Sequence, residues 1–384
     1  MDLNFTEREQ AFRAECRAWL TANVPGPEIG SGDTREGFAA HIAWEKKLHA
    51  DRWAVVSWPE AYGGRGASLI EWLIFEEEYY LAGAPSRVTQ NGIFLLAPAL
   101  FEYGTDEQKA RMLKPMAAAE FTWAQAWSEP NAGSDLANQS ARAVRVEGGW
   151  RLTGQKTWAT RGAFCDGIYG LFRTDPEARR HKGLTYFLVT LDSPGVTVRP
   201  VERLDGDEGF AEVFLEDVFV PDRDVLGEVD RGWYVAMTTT NSERGLTLRS
   251  PGRFLAAAHR LKALYQRMGD GDPLLRDRVV RAWMDAQAYR DYTFQTVARM
   301  LDGHSIGAES SLNKIFWSEM DIRLHEAAME LLGESAELDT ESWNRGYQFS
   351  LAGPIYAGTN EIQRNLVAER VLGLPRWPQR GGKK

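Results

Sequence analysis

Cysteine is nearly absent. Two residues, Cys16 and Cys165, occur in 384, too few for a disulfide framework or a cysteine-based metal site, and both read as buried thiols in a reducing compartment. The six histidines, His41, His49, His181, His259, His304 and His325, fall at no ligand spacing, so no metal role is expected. No run of 18 apolar residues is present, which excludes a membrane-spanning helix from the expectation. Met1 to Gln10 is charged and lacks the apolar core of a signal peptide, so the expected location is cytoplasmic. Positive charge is in deficit: 45 Lys and Arg face 54 Asp and Glu, a net charge of −9. That balance argues against nucleic acid or an anionic membrane as the main partner. Internal repeats and low-complexity segments are also missing.

What remains is ordinary globular material, 43% hydrophobic and 26% charged, with 14 tryptophans for a large core. It reads as three regions. Residues 1–120 are helical. Thr6 and Glu9 have capping-box spacing before an apolar face of Phe12, Cys16, Trp19 and Leu20. Leu69 to Leu81 is a second helix, and Thr105-Asp-Glu-Gln108 opens a third after Gly104. Residues 121–227 carry short β-rich runs: Ala143 to Val146 and Trp150 to Thr153 around Gly148-Gly149, then Leu184 to Leu191, Val196 to Val201 and Phe210 to Val220. Residues 228–384 return to helix. Phe316, Met320, Leu324, Ala328 and Leu331 share one face, and Ile362, Leu366, Val367 and Val371 share another. The expected fold is mostly α with a β insert, the insert being a small antiparallel sheet or barrel.

Three segments carry candidate chemistry. In Trp123-Ala-Gln-Ala-Trp-Ser-Glu-Pro-Asn-Ala-Gly-Ser-Asp135, Pro130 and Gly133 make a turn that allows close backbone approach. Its N–H groups and the hydroxyls of Ser128 and Ser134 suit a heterocycle edge and a phosphate; its ordinary reading is a polar loop. In Leu152-Thr-Gly-Gln-Lys-Thr-Trp-Ala-Thr160, strand alternation puts Trp158 and Thr160 on one side, an aromatic wall with a hydroxyl beside it. The ordinary reading is a core tryptophan. In Tyr356-Ala-Gly-Thr-Asn-Glu-Ile-Gln-Arg-Asn365, a Gly-Thr-Asn turn opens a helix, either an anion site or a simple N-cap.

Together these segments resemble the acyl-CoA dehydrogenases over nearly the whole chain. Ser57-Trp-Pro-Glu-Ala-Tyr-Gly-Gly64, Gly104-Thr-Asp-Glu-Gln-Lys109, Phe214-Leu-Glu-Asp-Val-Phe-Val-Pro221 and Ala368-Glu-Arg-Val-Leu-Gly-Leu-Pro375 add to the resemblance by their order and spacing. It implies a helical N-terminal domain (1–120), a middle antiparallel β-barrel domain (121–227) and a C-terminal four-helix bundle (228–384), with FAD between the last two. It implies α,β-dehydrogenation of an acyl-CoA thioester, as in fatty-acid β-oxidation and in bacterial steroid side-chain degradation. By the same resemblance Gln125, Trp127, Ser128, Gly133 and Ser134 line the flavin and thioester site. Trp158 and Thr160 cover the flavin ring, and Thr359 and Glu361 hold the adenosine diphosphate end. The implied partners are the acyl-CoA, an electron-transfer flavoprotein and further subunits, as a homotetramer or homodimer or in a mixed oligomer.

One departure concerns the base. Many members carry a glutamate before the Gly-Thr turn, where this chain has Ala357. In similar members the glutamate lies on the first long C-terminal helix, and Glu243, followed by Arg244, matches it here. On that reading Glu243 is the catalytic base, the N–H of Ala357 stays an oxyanion donor beside Gly358, Arg244 and Ser134 in the substrate site, and the small Ala357 admits a bulky acyl group. The alternatives are a base-poor partner subunit and a flavin monooxygenase or oxidase of the same fold. Arg267-Met-Gly269 and Gly333-Glu334 also depart from the family's usual cross-subunit FAD contacts.

Overall fold

The computed structural model describes residues 4–26, 29–269, 271–304, 307–308, 310–338 and 343–376, the side chains of 241–250 excepted. The chain divides into two compact units, one of residues 6–246 and one of residues 247–384 with 1–5.

The first unit begins with helices α1 (Glu7–Asn23), α2 (Arg35–Ala50), α3 (Leu69–Leu81), α4 (Ala97–Tyr103) and α5 (Asp106–Ala117). Their starts follow from the sequence. Thr6 and Glu9, Ser68 and Glu71, and Thr105 and Gln108 each form a closed capping box, which satisfies amide donors that a helix end leaves open. Helix α3 buries Glu77 and Glu78, and Arg13 and Arg17 of α1 reach across to pair with them.

Eight strands follow: β1 (Trp123–Gln125), β2 (Arg142–Val146), β3 (Gly149–Thr160), β4 (Gly167–Arg173), β5 (Leu184–Thr190), β6 (Val196–Val201), β7 (Phe210–Pro221) and β8 (Val225–Leu226). The Gly148-Gly149 hairpin forms as expected, with Val146 opposite Gly149 and Ala143 opposite Leu152. The antiparallel barrel does not. The sheet runs β6-β7-β3-β2-β4-β5-β8, with β1 pairing β4. It is mixed, because β1 and β2 both lie parallel to β4. The hairpin fixes only its own two strands as antiparallel, whereas β1 reaches β4 through the whole β2–β3 excursion, and a long connection leaves direction free. Nor is the sheet a closed barrel: its path ends at β6 and β8. Strand β6 carries Pro200, which suits an edge. Ala124, Leu152, Ile168, Phe172, Phe187, Val213 and Leu215 are among the residues of the sheet's core.

The second unit holds the later part of α6 (Gly232–Met268), then α7 (Pro273–Leu301), α8 (Ser310–Leu332), α9 (Trp343–Ser350) and α10 (Asn360–Leu366). Phe254, Leu261, Val279, Tyr289, Trp317, Met320, Leu324 and Ala328 make a shared core, so the face expected on α8 is buried. The face expected on the last helix is not. Ile362 and Val371 are exposed, and the α-helix gives way at Val367 to a wider π-turn ending at Val371. Among the described residues, no helix is long and apolar enough to cross a membrane.

Candidate functional site

The first group of candidate residues is built on the sheet. Strand β1 ends at Gln125, and Ala126 N–H continues the ladder to Tyr169 C=O at 2.9 Å. The chain then leaves the sheet and turns at Pro130-Asn131, closed by reciprocal hydrogen bonds between Glu129 and Ala132 at 3.0 Å each. Gly133 was expected to allow close backbone approach. A Cβ placed there meets nothing within 4 Å, so no part of the protein crowds it. Ser134 beside it is exposed.

Strand β3 brings Trp158 and Thr160. Lys156 pairs with Val213 and Ala159 with Ala211, so Thr157 and Trp158 together oppose Glu212 alone. This is a β-bulge, which re-aims a side chain. Trp158 takes φ +60°, left-handed backbone that a bulky residue rarely adopts. It is 58% exposed although both its neighbours are buried, and its ring meets only the edge of Phe210 at 5.6 Å. The fate of a core tryptophan is thereby excluded. Thr160, half-buried, lies on the same side of Ala159. The two sheet segments meet: Thr157 N–H donates to Ser128 C=O at 2.9 Å.

Glu129 and Lys156 were not singled out from the sequence. Lys156 is 0% exposed, and its ammonium donates to Glu129 Oε1 at 2.8 Å, Gln139 Oε1 at 2.9 Å and Leu171 C=O at 2.8 Å. Glu129 also accepts from Ser140 N–H and Oγ at 2.7 Å and from Ala141 N–H at 3.0 Å. Burial pushes Lys156 down to about 8, partly offset by Glu129. Burial pushes the Glu129 carboxyl up, but Lys156 and the Ser140 donors outweigh it and hold the group below the usual range. Both are ionised at neutral pH. The available signal was a lone lysine on a strand otherwise short of charge.

Beyond Thr160, Arg161 donates to Asp33 Oδ1 at 2.6 Å, and Arg203 reaches Asp33 Oδ2 at 2.5 Å. This ties the end of β3 to the segment before α2.

A second group of candidate residues lies at α10, in the other unit. Ala357 at φ +55° and Gly358 at φ +79° are consecutive left-handed residues. Gln363 Nε2 donates to Ala357 C=O at 3.0 Å. The Thr359 hydroxyl is engaged as N-cap by Ile362 N–H at 3.2 Å, and Glu361 follows in the first turn, exposed. Buried Asn360 anchors the turn: its Oδ1 accepts from Lys314 Nζ at 2.9 Å and Ser318 Oγ at 3.2 Å, and its N–H donates to Pro354 C=O at 2.8 Å. Glu243 and Arg244 lie on α6 within 241–250, and their side chains fall outside the described residues.

The sheet residues fit an isoalloxazine. Gln125 Nε2 and Trp127 Nε1 are buried and have no acceptor among the described residues. An unpaired buried donor costs about 1–3 kcal/mol, so such donors mark a surface completed by a ligand with acceptor edges. Trp158, on the strand that Thr157 joins to Ser128, offers a large flat face.

Comparison with known proteins agrees. Residues 6–120, 124–218 and 230–372 match, in turn, the N-terminal, middle and C-terminal domains of the acyl-CoA dehydrogenases. The acyl-CoA dehydrogenase IpdE1 of Mycolicibacterium smegmatis is 40% identical over 391 residues, covering 96% of this chain and 98% of that protein. The solved Tcur3481-Tcur3483 steroid ACAD superposes with a TM-score of 0.89 at 27% identity, covering 98% of this chain and 100% of that one. The ChsE4-ChsE5 complex from Mycobacterium tuberculosis gives 0.84 at 27% identity, with 98% and 100% covered. The chain belongs to the acyl-CoA dehydrogenase family, FAD-binding oxidoreductases whose N-terminal, middle and C-terminal parts it matches in order.

Proposed function

We propose that this chain removes two hydrogens from the α,β carbon–carbon bond of an acyl-CoA thioester carrying a bulky, ring-bearing acyl group. The observation that carries the reading is the exposed, left-handed Trp158 on a strand joined, through Thr157 N–H and Ser128 C=O, to the segment that holds the unpaired buried donors of Gln125 and Trp127. FAD, when bound, accepts the hydride from the β-carbon. Glu243 takes the α-proton. The Ala357 N–H holds the negative charge that develops on the thioester oxygen, since a donor aimed at developing charge lowers the barrier most. Ser134, Arg244 and Gly358 complete the substrate side. Gln125, Trp127, Ser128, Gly133, Ser134, Trp158 and Thr160 hold the flavin ring, and Thr359 and Glu361 the adenosine diphosphate end. The bulky acyl group is supported by the methyl side chain at 357 and by the likeness to a steroid ACAD.

The later part of α6 with α7, α8 and α9 forms a four-helix bundle, supported by the core that Phe254, Tyr289, Trp317 and Trp343 share. Bound FAD would supply the two-electron acceptor, and the partner that would take those electrons onward is an electron-transfer flavoprotein in the cytoplasm, in a reaction of the β-oxidation type. The working assembly is a homotetramer or homodimer. A second reading, a base-poor partner in a mixed oligomer, is favoured by Ala357 at the family's usual base position and by the likeness to the ChsE4-ChsE5 complex.

The test is anaerobic titration of the purified chain with acyl-CoAs of increasing bulk, read at the flavin absorption band. Bleaching by the chain alone supports the first reading, and bleaching only with a second subunit the other. Glu243→Gln is expected to slow bleaching about 1,000-fold, the scale of losing a general base. Unimpaired bleaching removes Glu243 from the mechanism.

A further inference from the structure

Lys156 is a fully buried ammonium with three donors, and each has its own acceptor on a different part of the sheet unit. Leu171 C=O belongs to β4, Glu129 to the turn after Ser128, and Gln139 to the segment returning to β2. Gln139 does not stop at the lysine. Its Nε2 donates to Trp127 C=O at 2.9 Å, so an unbroken chain of hydrogen bonds runs from the ammonium to the backbone of Trp127. Glu129 sits one residue beyond Ser128, whose C=O accepts from Thr157 N–H. Two residues after Lys156 comes Trp158 in its left-handed bulge.

Trp127, Ser128 and Trp158 are therefore each within two residues of an atom bonded in this cluster. Strained backbone persists only where its surroundings over-determine it, and the ion pair pins the strand two residues before Trp158. The ammonium also lies 4.7 Å from the centroid of the Phe172 ring, a further contact that favours its charge.

We propose that Lys156, acting through Gln139 and Glu129, is a positioning residue that holds Trp127, Ser128 and Trp158 as a single rigid flavin-facing wall. It does not touch the flavin; it sets the distance between two segments that do. This rests on the flavin reading above.

The experiment measures FAD release from holoenzyme together with the flavin visible spectrum and the melting temperature. Lys156→Met leaves Glu129 buried without its cation and is expected to release FAD at least ten-fold faster. The double variant Lys156→Met with Glu129→Gln removes both charges and relieves the buried lone carboxylate. It is expected to recover melting temperature while keeping the fast release and a shifted flavin band, because Gln139 has still lost its donor. Gln139→Leu leaves the ion pair intact, cuts only the link to Trp127, and is expected to quicken release about three-fold; it decides the matter if neither lysine variant folds. Folded variants that release FAD at the wild-type rate with an unshifted band overturn the proposal. If instead wild-type protein binds no FAD, the functional reading fails rather than the positioning role.

Discussion

Trp158 and Ala357 make an instructive pair. Both are non-glycine residues with left-handed backbone, at φ +60° and +55°, and both fall in segments that the sequence singled out. Their supports differ. Around Trp158 the anchors are charged and inaccessible: Lys156 with Glu129 on one side, and Arg161 with Asp33 and Arg203 on the other. Around Ala357 the nearest anchors are amides, Gln363 on its carbonyl and Asn360 beneath the turn, with Lys314 as the only cation bonded to Asn360 among the described residues. Buried ion pairs are unforgiving when one member is lost, whereas neutral hydrogen bonds are each worth about 1 kcal/mol. The first turn is thereby held more rigidly than the second.

The contrast can be broken by substitution. The largest effect is expected at Asp33, 13% exposed between two guanidiniums. Asp33→Asn takes the carboxylate from Arg161 while Arg203 keeps Asp205, and should cost about 3 kcal/mol in urea unfolding. Burial raises the Asp33 carboxyl, but Arg161 and Arg203 outweigh it and hold it below its usual value. A carboxyl with a depressed folded pKa stabilises above its unfolded value of about 4 and stops doing so as pH falls through the folded one. The gap between wild type and Asp33→Asn should therefore stay constant down to that range and close below it. A gap that persists in acid would show that Asp33 acts by packing.

A smaller effect is expected at Lys314. Lys314→Met leaves Asn360 still bonded to Ser318 and should cost about 1 kcal/mol. Burial pushes Lys314 down to about 8 from 10.5. The unfolded chain then binds more protons between those values, so this group makes wild-type stability rise with pH across that window. Lys314→Met should lose the rise, as read by melting temperature from pH 7 to 10. A loss as large as that of Asp33→Asn would abolish the distinction between the two turns. The smallest effect belongs to Ala357→Gly. Relief of a left-handed alanine against the freedom glycine gains when unfolded should leave a stabilisation below about 1 kcal/mol.

Much of the fold was legible because its signals are local. Capping boxes at Thr6 and Thr105 need only residues three apart, and the hairpin at Gly148-Gly149 needs only its own two strands. Alternation also placed Trp158 and Thr160 on one side. What escaped was non-local. The bulge at Trp158 exists because β3 and β7 slip against each other, and no single strand carries that information. Lys156 and Glu129 lie 27 residues apart and mean little until the sheet joins them. The barrel failed for the same reason: closure is a property of two edges, and a sequence shows strands, not what meets at the rim.

That rim has its own consequence. Strand β6 presents Thr197, Arg199 and Pro200 outward, and proline cannot donate a backbone hydrogen bond. An open sheet edge is a template for stray strands, and a charge with a missing donor spoils it. On β6, one of the two ends at which the sheet's path stops, these residues discourage neighbouring molecules from extending the ladder.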